Sequence, residues 1–270
     1  MRDQKLSVAL AVYNEEDNLA ACLETIKDIA DEIVVVDGNS KDKTAEIAEH
    51  YHAKVIKVEN KANFHINKQM AISACQYDWI LQLDADERVT SMLAREIRQI
   101  CDSPLDNAMS AYYLKRRNYF LGRWMNKGGM YPDPVIRLFQ KGKAHLPQAN
   151  VHELMTVNGS TGWLKEDLLH IADPTFARYL KRSNRYTTLQ AEAWFKEGKI
   201  KLTAGTAFLY LFAKPLLRFL EIYVRHKGFM DKLPGLIFAY YSGLHIASSY
   251  VKYFEFKSTQ KQPDILRDWE

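Results

Sequence analysis

Leu6 to Tyr13 is a short apolar run bounded by polar residues, the pattern of a buried strand. Past Asn14, the residues Leu19, Cys22, Leu23, Ile26 and Ile29 recur at helical spacing and predict a helix with one buried face. Asn14 is placed to cap that helix, and Glu15, Glu16 and Asp17 suit its positive end. Ile33 to Val36, all β-branched, predicts a second strand that stops at Asp37-Gly38. A helix over about Asp42 to His50 follows, with Asn39 or Ser40 as its cap. Lys54 to Val58 alternates and predicts a third strand, and Ile66 to Cys75 a third helix. A fourth strand, Trp79 to Leu83, ends at Asp84-Ala85-Asp86-Glu87, ahead of a helix from about Ser91 to Ile100.

Strand–helix alternation with short connections predicts a parallel α/β sheet. Such sheets bind ligands at the carboxyl ends of their strands. Three strands end there in polar groups: Tyr13-Asn14-Glu15, Asp37-Gly38-Asn39-Ser40 and Asp84-Ala85-Asp86. These groups are therefore expected to converge on one edge.

From Ala108 to Leu169 the pattern changes, with strands predicted over Tyr112 to Tyr119 and Val135 to Phe139. Between them runs a segment rich in Gly and aromatic residues, Gly122-Arg123-Trp124 and then Lys127-Gly128-Gly129-Met130-Tyr131-Pro132-Asp133. It suits either stacking against an acceptor sugar or a structured turn with packed aromatics. After Asp173-Pro174 the chain turns helical, which divides it into residues 1–172 and a helical region, residues 173–270. Thr203 to Val224 and Pro234 to Val251 approach the ~20 apolar residues of a membrane span. Lys214, Pro215, Arg218 and Glu221 interrupt the first of them. An amphipathic pair lying on a membrane surface, flanked by Arg178, Lys181, Arg182, Arg185, Arg225, His226 and Lys227, fits this better. A buried helical hairpin and a dimer interface are the competing readings.

Composition narrows the class. The 270 residues are 47% hydrophobic and 26% charged, a globular balance rather than a disordered one. A net charge of +4 gives no call for a nucleic-acid partner. Three cysteines without a CxxC pair argue against zinc and dithiol chemistry, and an odd count suits a reducing compartment. The first residues enter a strand at once, with no signal-peptide core. A cytoplasmic protein, peripheral on the inner face of the cytoplasmic membrane, is the expectation.

The candidate chemistry starts at Asp84-Ala85-Asp86. Two carboxylates just past a buried strand suit a divalent cation, Mg²⁺ or Mn²⁺, held jointly with phosphate oxygens. Such a cation makes a diphosphate a better leaving group. An acidic surface turn is the alternative, but the position at the ligand edge favours the metal. Asp37 can accept hydrogen bonds from a nucleobase or a ribose hydroxyl, and Gly38 permits the sharp turn. Helix capping alone would also account for Ser40 and Asp42.

Taken in order, Val12-Tyr13-Asn14-Glu15-Glu16, Val36-Asp37-Gly38-Asn39-Ser40 with Asp42 and Thr44, and Leu83-Asp84-Ala85-Asp86-Glu87 resemble the inverting family 2 glycosyltransferases. Gly129 to Asp133, Arg137-Leu138-Phe139 and Val151-His152-Glu153 resemble a narrower branch, the lipopolysaccharide-core β-1,4-glucosyltransferases. The resemblance covers about residues 5–160. It implies a GT-A fold, a Rossmann-like mixed sheet flanked by helices, here with a C-terminal helical extension. It implies a nucleotide-sugar donor (a UDP-sugar, UDP-glucose in that branch) and a glycolipid acceptor; a membrane surface as partner is expected from the C-terminal helices, and no nucleic acid from the net charge. Tyr13, Asn14 and Glu15 would line the nucleotide pocket and Asp37 would meet the nucleoside. Asp84 would meet the ribose or a metal-bound water, and Asp86 the metal. Glu153 stands near the place of the family's late acidic base, although the usual Glu-Asp pair is replaced by His152-Glu153.

A single displacement at the anomeric carbon needs a base for the acceptor hydroxyl, the role of Glu153, and positive charge for the departing diphosphate. Lys68 is a candidate for the second, or else a solvated helix residue. His152 would orient the base or bind phosphate, or fill a buried, satisfied site. His170 would close over the metal or pyrophosphate, or serve the fold at a domain junction. A polyprenyl-phosphate acceptor, a nucleotidyltransferase and a non-catalytic scaffold are the alternatives. The second of these lacks its usual early Gly-rich phosphate loop.

Overall fold

A computed structural model describes residues 4–60, 64–104, 108–147, 154–198 and 200–259. Strand β1 (Leu6–Val12) is buried along almost its whole length, as expected of a strand covered on both faces. Its parallel neighbours are β2 (Glu32–Asp37) and β4 (Trp79–Leu83), with Val12 opposite Asp37 and Leu10 opposite Leu83. β3 (Lys54–Lys57) adds a parallel edge beyond β2. On the other side the sheet turns antiparallel through β8 (Asp133–Gln140) and β6 (Ala111–Phe120). It is completed by β11 (Thr161–Asp173) and the three-residue β5 (Glu87–Val89), giving the order β3-β2-β1-β4-β8-β6-β11-β5. The predicted parallel sheet is thus half of a mixed one.

Alternation along β1 assigns its two faces. Leu6, Val8, Leu10 and Val12 pack with Leu19, Cys22 and Leu23 of α1 (Glu16–Glu24) and Leu93, Ile97 and Cys101 of α4 (Ser91–Cys101). Ala9, on the other face, packs with Val34, Val36 and Ile80 under Ala71 and Ile72 of α3 (Phe64–Ala74). All three cysteines are free and buried, and burial raises each thiol above its ordinary pKa.

Two capping expectations fail for one reason. α1 begins at Glu16 with Glu15 as its cap residue and no side-chain cap, while α2 (Thr44–His50) begins after Lys43, also uncapped. Asn14, Ser40 and Asp42 spend their polar atoms instead on joining the two turns to each other.

The chain divides into two compact units, Met1–Arg117 with Asp133–His170, and Asn118–Pro132 with Ile171–Glu270. In the second, Phe120 pairs with Arg123 of β7 (Arg123–Trp124) across Leu121 and Gly122, whose φ values of 45° and 83° make a two-residue turn. Buried Asp231 holds the following segment: its carboxylate accepts from Asn126 N–H at 3.1 Å and Lys127 N–H at 2.7 Å, and faces Arg123 Nε at 3.3 Å. Long helices α5 (Phe176–Glu197) and α8 (Lys232–Thr259) are tied by Lys252, whose Nζ donates to the Asn184 carbonyl and to the hydroxyls of Thr187 and Thr188.

The stretch expected as one apolar helix is a rod in four parts. These are α6 (Ala204–Phe208), a π-turn (Leu209–Ala213), α7 (Lys214–Leu220) and a second π-turn (Glu221–Arg225). Pro215 has no N–H to give the preceding turn, and the first π-turn lies just before it. Among the described residues no helix is long and apolar enough to cross a membrane.

Candidate active site

Because β1, β2 and β4 run parallel and in register, their carboxyl ends form one edge. Asp37, 1% exposed, ends β2. Its carboxylate accepts from the Ser40 N–H at 3.1 and 3.3 Å and from the Ser40 hydroxyl. Ser40 Oγ accepts the Asn14 N–H at 2.9 Å, and Asn14 Oδ1 accepts the Lys41 N–H at 2.9 Å. Thr44 Oγ1 accepts the Glu15 N–H at 2.8 Å. Asn14 and Asn39 adopt left-handed backbone, with φ of 52° and 66°, which asparagine tolerates better than most residues. The result is a hydrogen-bonded frame, with half-buried Tyr13 and Glu15 and exposed Asn14 around the buried carboxylate.

Past β4, the segment Asp84-Ala85-Asp86-Glu87 closes on itself. Glu87 N–H donates to the Asp84 carbonyl at 3.0 Å, and Glu87 Oε2 accepts the Asp84 N–H at 3.0 Å. Arg88 Nη1 donates to the Ala85 carbonyl at 2.7 Å and Nη2 to the Asn18 carbonyl at 3.1 Å, tying the turn to α1. Beneath it lies a charge cluster. Arg137 Nη2 reaches Asp84 Oδ2 at 2.7 Å and Glu87 Oε1 at 2.8 Å, and its Nη1 donates to Gln82. Lys68 of α3 pairs with the other Asp84 oxygen, its side chain 13% exposed, so it is not a solvated helix residue. Arg116 approaches Glu87 at 3.6 Å and grips Asp133 through Nε and Nη2 at 3.0 and 2.6 Å.

Burial alone would raise the Asp84 pKa, but Arg137 and then Lys68 outweigh it and hold the carboxyl well below its ordinary range. Arg137 is the mirror case: burial works against its charge, and Asp84 and Glu87 raise its pKa above the usual value. The folded chain therefore binds the Asp84 proton more weakly than the unfolded chain does. That contribution to stability is complete above the ordinary carboxyl pKa, about 4, and is lost as the pH falls below it. Asp84→Asn is expected to flatten the acid limb of stability below about pH 4, read from urea midpoints across that range. An acid limb as steep as that of the unaltered chain would contradict this.

Asp86 faces β11. β11 runs antiparallel to β5 with His170 opposite Glu87, which brings His170 Nε2 to 3.5 Å from Asp86 Oδ1. The Asp86 side chain is 17% exposed. His152 and Glu153 lie outside the described residues.

Residues 7–168 match the sequence model of glycosyl transferase family 2. The chain belongs to this family. This family 2 enzyme is thus a glycosyltransferase, which sets aside the nucleotidyltransferase and scaffold readings, and its mixed sheet with helices on both faces is the GT-A fold. It is 26% identical to the lipopolysaccharide core biosynthesis glycosyltransferase LpsC of Rhizobium meliloti, over 89% of this chain and 91% of that one. It is 28% identical to an uncharacterized glycosyltransferase of Rickettsia typhi, over 90% and 86% of the two chains. Among solved structures, it is similar to residues 1–349 of S. aureus TarS in complex with UDP, with 15% identity over 95% of this chain and 92% of that one and a TM-score of 0.49.

The site residues foreseen in the transferase, Tyr13, Asn14, Glu15, Asp37, Lys68, Asp84, Asp86 and His170, all belong to the first unit. Lys68 is joined to Asp84, and His170 lies beside Asp86. The buried polar layer beneath them, Gln82, Glu87 and Arg137 with the half-buried Arg116 at its side, carried no assigned role in the sequence. One signal was available: Arg137 is a lone charge within the apolar run Val135 to Phe139.

Proposed function

We propose that this glycosyltransferase is an inverting, divalent-metal-dependent hexosyltransferase. It moves glucose from UDP-glucose onto a lipopolysaccharide-core or related envelope glycolipid at a membrane surface. The observation that carries the reading is the carboxyl edge, where buried Asp37, framed by the Asn14 turn, is followed two strands across by Asp84 and Asp86. The name of the Rhizobium meliloti relative supports the envelope acceptor.

The residues fit a divalent cation in a particular way. Among the described residues no group of three or more His, Cys, Asp or Glu side chains could hold a metal unaided. Asp86 offers a carboxylate, to which diphosphate oxygens and water would be added to complete the shell of Mg²⁺ or Mn²⁺, with the His170 imidazole beside it. Asp84 is already balanced by Lys68 and Arg137, which leaves Asp86 as the primary ligand and Asp84 at the ribose or a metal-bound water. When bound, the cation offsets charge on the departing diphosphate. Lys68, held beside the same turn by its pair with Asp84, is the side chain placed to add positive charge near that diphosphate. Glu153 takes the proton of the acceptor hydroxyl as it attacks the face opposite the nucleotide, so an α-linked donor yields a β product.

Glu153→Gln is expected to keep UDP binding, read by calorimetry, while turnover falls by about 10²–10⁴-fold. Loss of both together would instead make Glu153 structural. Proton NMR of the wild-type product, resolving the new anomeric centre, tests inversion: a β linkage supports it, and a retained α linkage rejects it.

A further inference from the structure

The rod from Ala204 to Arg225 shows a row of apolar side chains to solvent. Phe208, Phe212, Leu216, Leu220 and Val224 are 65%, 62%, 57%, 42% and 56% exposed, and Leu209 and Leu217 stand beside them. On a pure α-helix, residues four apart drift around the surface, because a turn holds fewer than four. Each π-turn takes in one more residue than an α-turn. Two of them in this rod bring the average to about four per turn, so the row runs straight along it. The opposite side is spoken for. Ile222 is buried, Tyr210 stacks on Tyr250 with ring centroids 5.1 Å apart, and a Cβ on Gly243 would lie 2.6 Å from the Pro215 carbonyl oxygen. The rod therefore packs on α8 by one side and leaves an apolar row on the other; Phe229, Met230 and Leu233 are also exposed in the segment that follows.

The charges around this line select its partner. Arg218, Arg225, Lys227 and Lys232 are exposed and Lys214 is half-buried. The two acids of the segment are engaged internally, Glu221 with Arg218 at 2.7 Å and buried Asp231 with Arg123 and the Asn126 and Lys127 amides. An apolar line bordered by surplus positive charge suits the interface of an anionic lipid bilayer rather than an acidic protein groove.

We propose that the Ala204–Arg225 rod is an in-plane anchor, its apolar row embedded among the acyl chains and headgroups of anionic phospholipids. This deepens the reading above by naming the surface that meets a bilayer-borne acceptor; it rests on that reading for its purpose, and on the rod for its geometry.

The test is flotation of the full chain with phosphatidylcholine vesicles, with and without phosphatidylglycerol, together with thermal stability in UDP and Mn²⁺. The unaltered chain is expected to float with the anionic vesicles and to release as salt rises. The triple variant F212S/L216S/L220S is expected to lose at least about tenfold in partitioning while keeping its helix content and nucleotide response. A second variant, R225Q/K227Q, leaves the apolar row intact and is expected to lose the preference for anionic lipid. Equal flotation of the triple variant and the unaltered chain would overturn the proposal. So would a solution dimer of the unaltered chain that the triple variant splits, with no vesicle binding by either. Vesicle binding without any nucleotide response would reject the donor reading and leave the anchor standing.

Discussion

Asp86→Ala is expected to reduce sugar transfer by about 10²–10³-fold while leaving the fold intact, an effect of several kcal/mol at 1.4 kcal/mol per tenfold. His170 Nε2 lies 3.5 Å from its carboxylate, and none of the ion pairs that join Lys68, Arg137 and Arg116 to Asp84, Glu87 and Asp133 runs through Asp86, so the variant leaves those pairs in place. On the proposed function, its removal takes away the primary ligand of the cation. The checks are initial rates with radiolabelled donor across a Mn²⁺ series, alongside the unfolding midpoint. Transfer at the wild-type rate would remove Asp86 from the metal assignment.

Arg137→Met is expected to act in the opposite way, costing about 3–5 kcal/mol of stability, because it leaves Asp84 and Glu87 buried together without their shared cation. Lys68 reaches only Asp84, and Arg116 stands 3.6 Å from Glu87, so neither can replace a fork that spans both carboxylates and Gln82. Arg137→Lys should recover only part of the loss, since one ammonium nitrogen replaces the two guanidinium nitrogens that divide the three acceptors between them. Urea unfolding measures both variants. A change below about 1 kcal/mol for Arg137→Met would show that the carboxylates are relieved by water or by proton uptake.

The contrast between these variants marks what the sequence could show. β1, β2 and β4 were legible because a strand buried on both faces is mostly apolar, and their polar ends followed from parallel order. The antiparallel half was less so: β5 has three residues, and its pairing with β11 joins positions some 80 apart in the chain. Arg137 could be seen as a charge in an apolar strand. Its partners could not, since Gln82, Asp84 and Glu87 lie about 50 residues away and meet it only when β8 turns back along β4. Asn14 and Ser40 misled for a related reason. The side chains that cap helices also bridge turns, and which use wins depends on a neighbouring loop that local spacing does not reveal. The apolar character of the Thr203 to Val224 stretch was plain in the sequence, but its straight exposed row depends on π-turns that no residue count announces.

The proposed function rests on a nucleotide-diphosphate site at the carboxyl edge, completed by a divalent cation on Asp86. Its most direct test is the thermal stability of the purified protein with UDP, GDP and CDP, each with and without Mn²⁺. A ligand bound only by the native state adds about 2.7 kcal/mol at a hundredfold excess over Kd. A rise with UDP that requires Mn²⁺, and that Asp86→Ala abolishes, is the predicted result; no rise with any nucleotide, or a UDP response indifferent to both metal and Asp86, would contradict it.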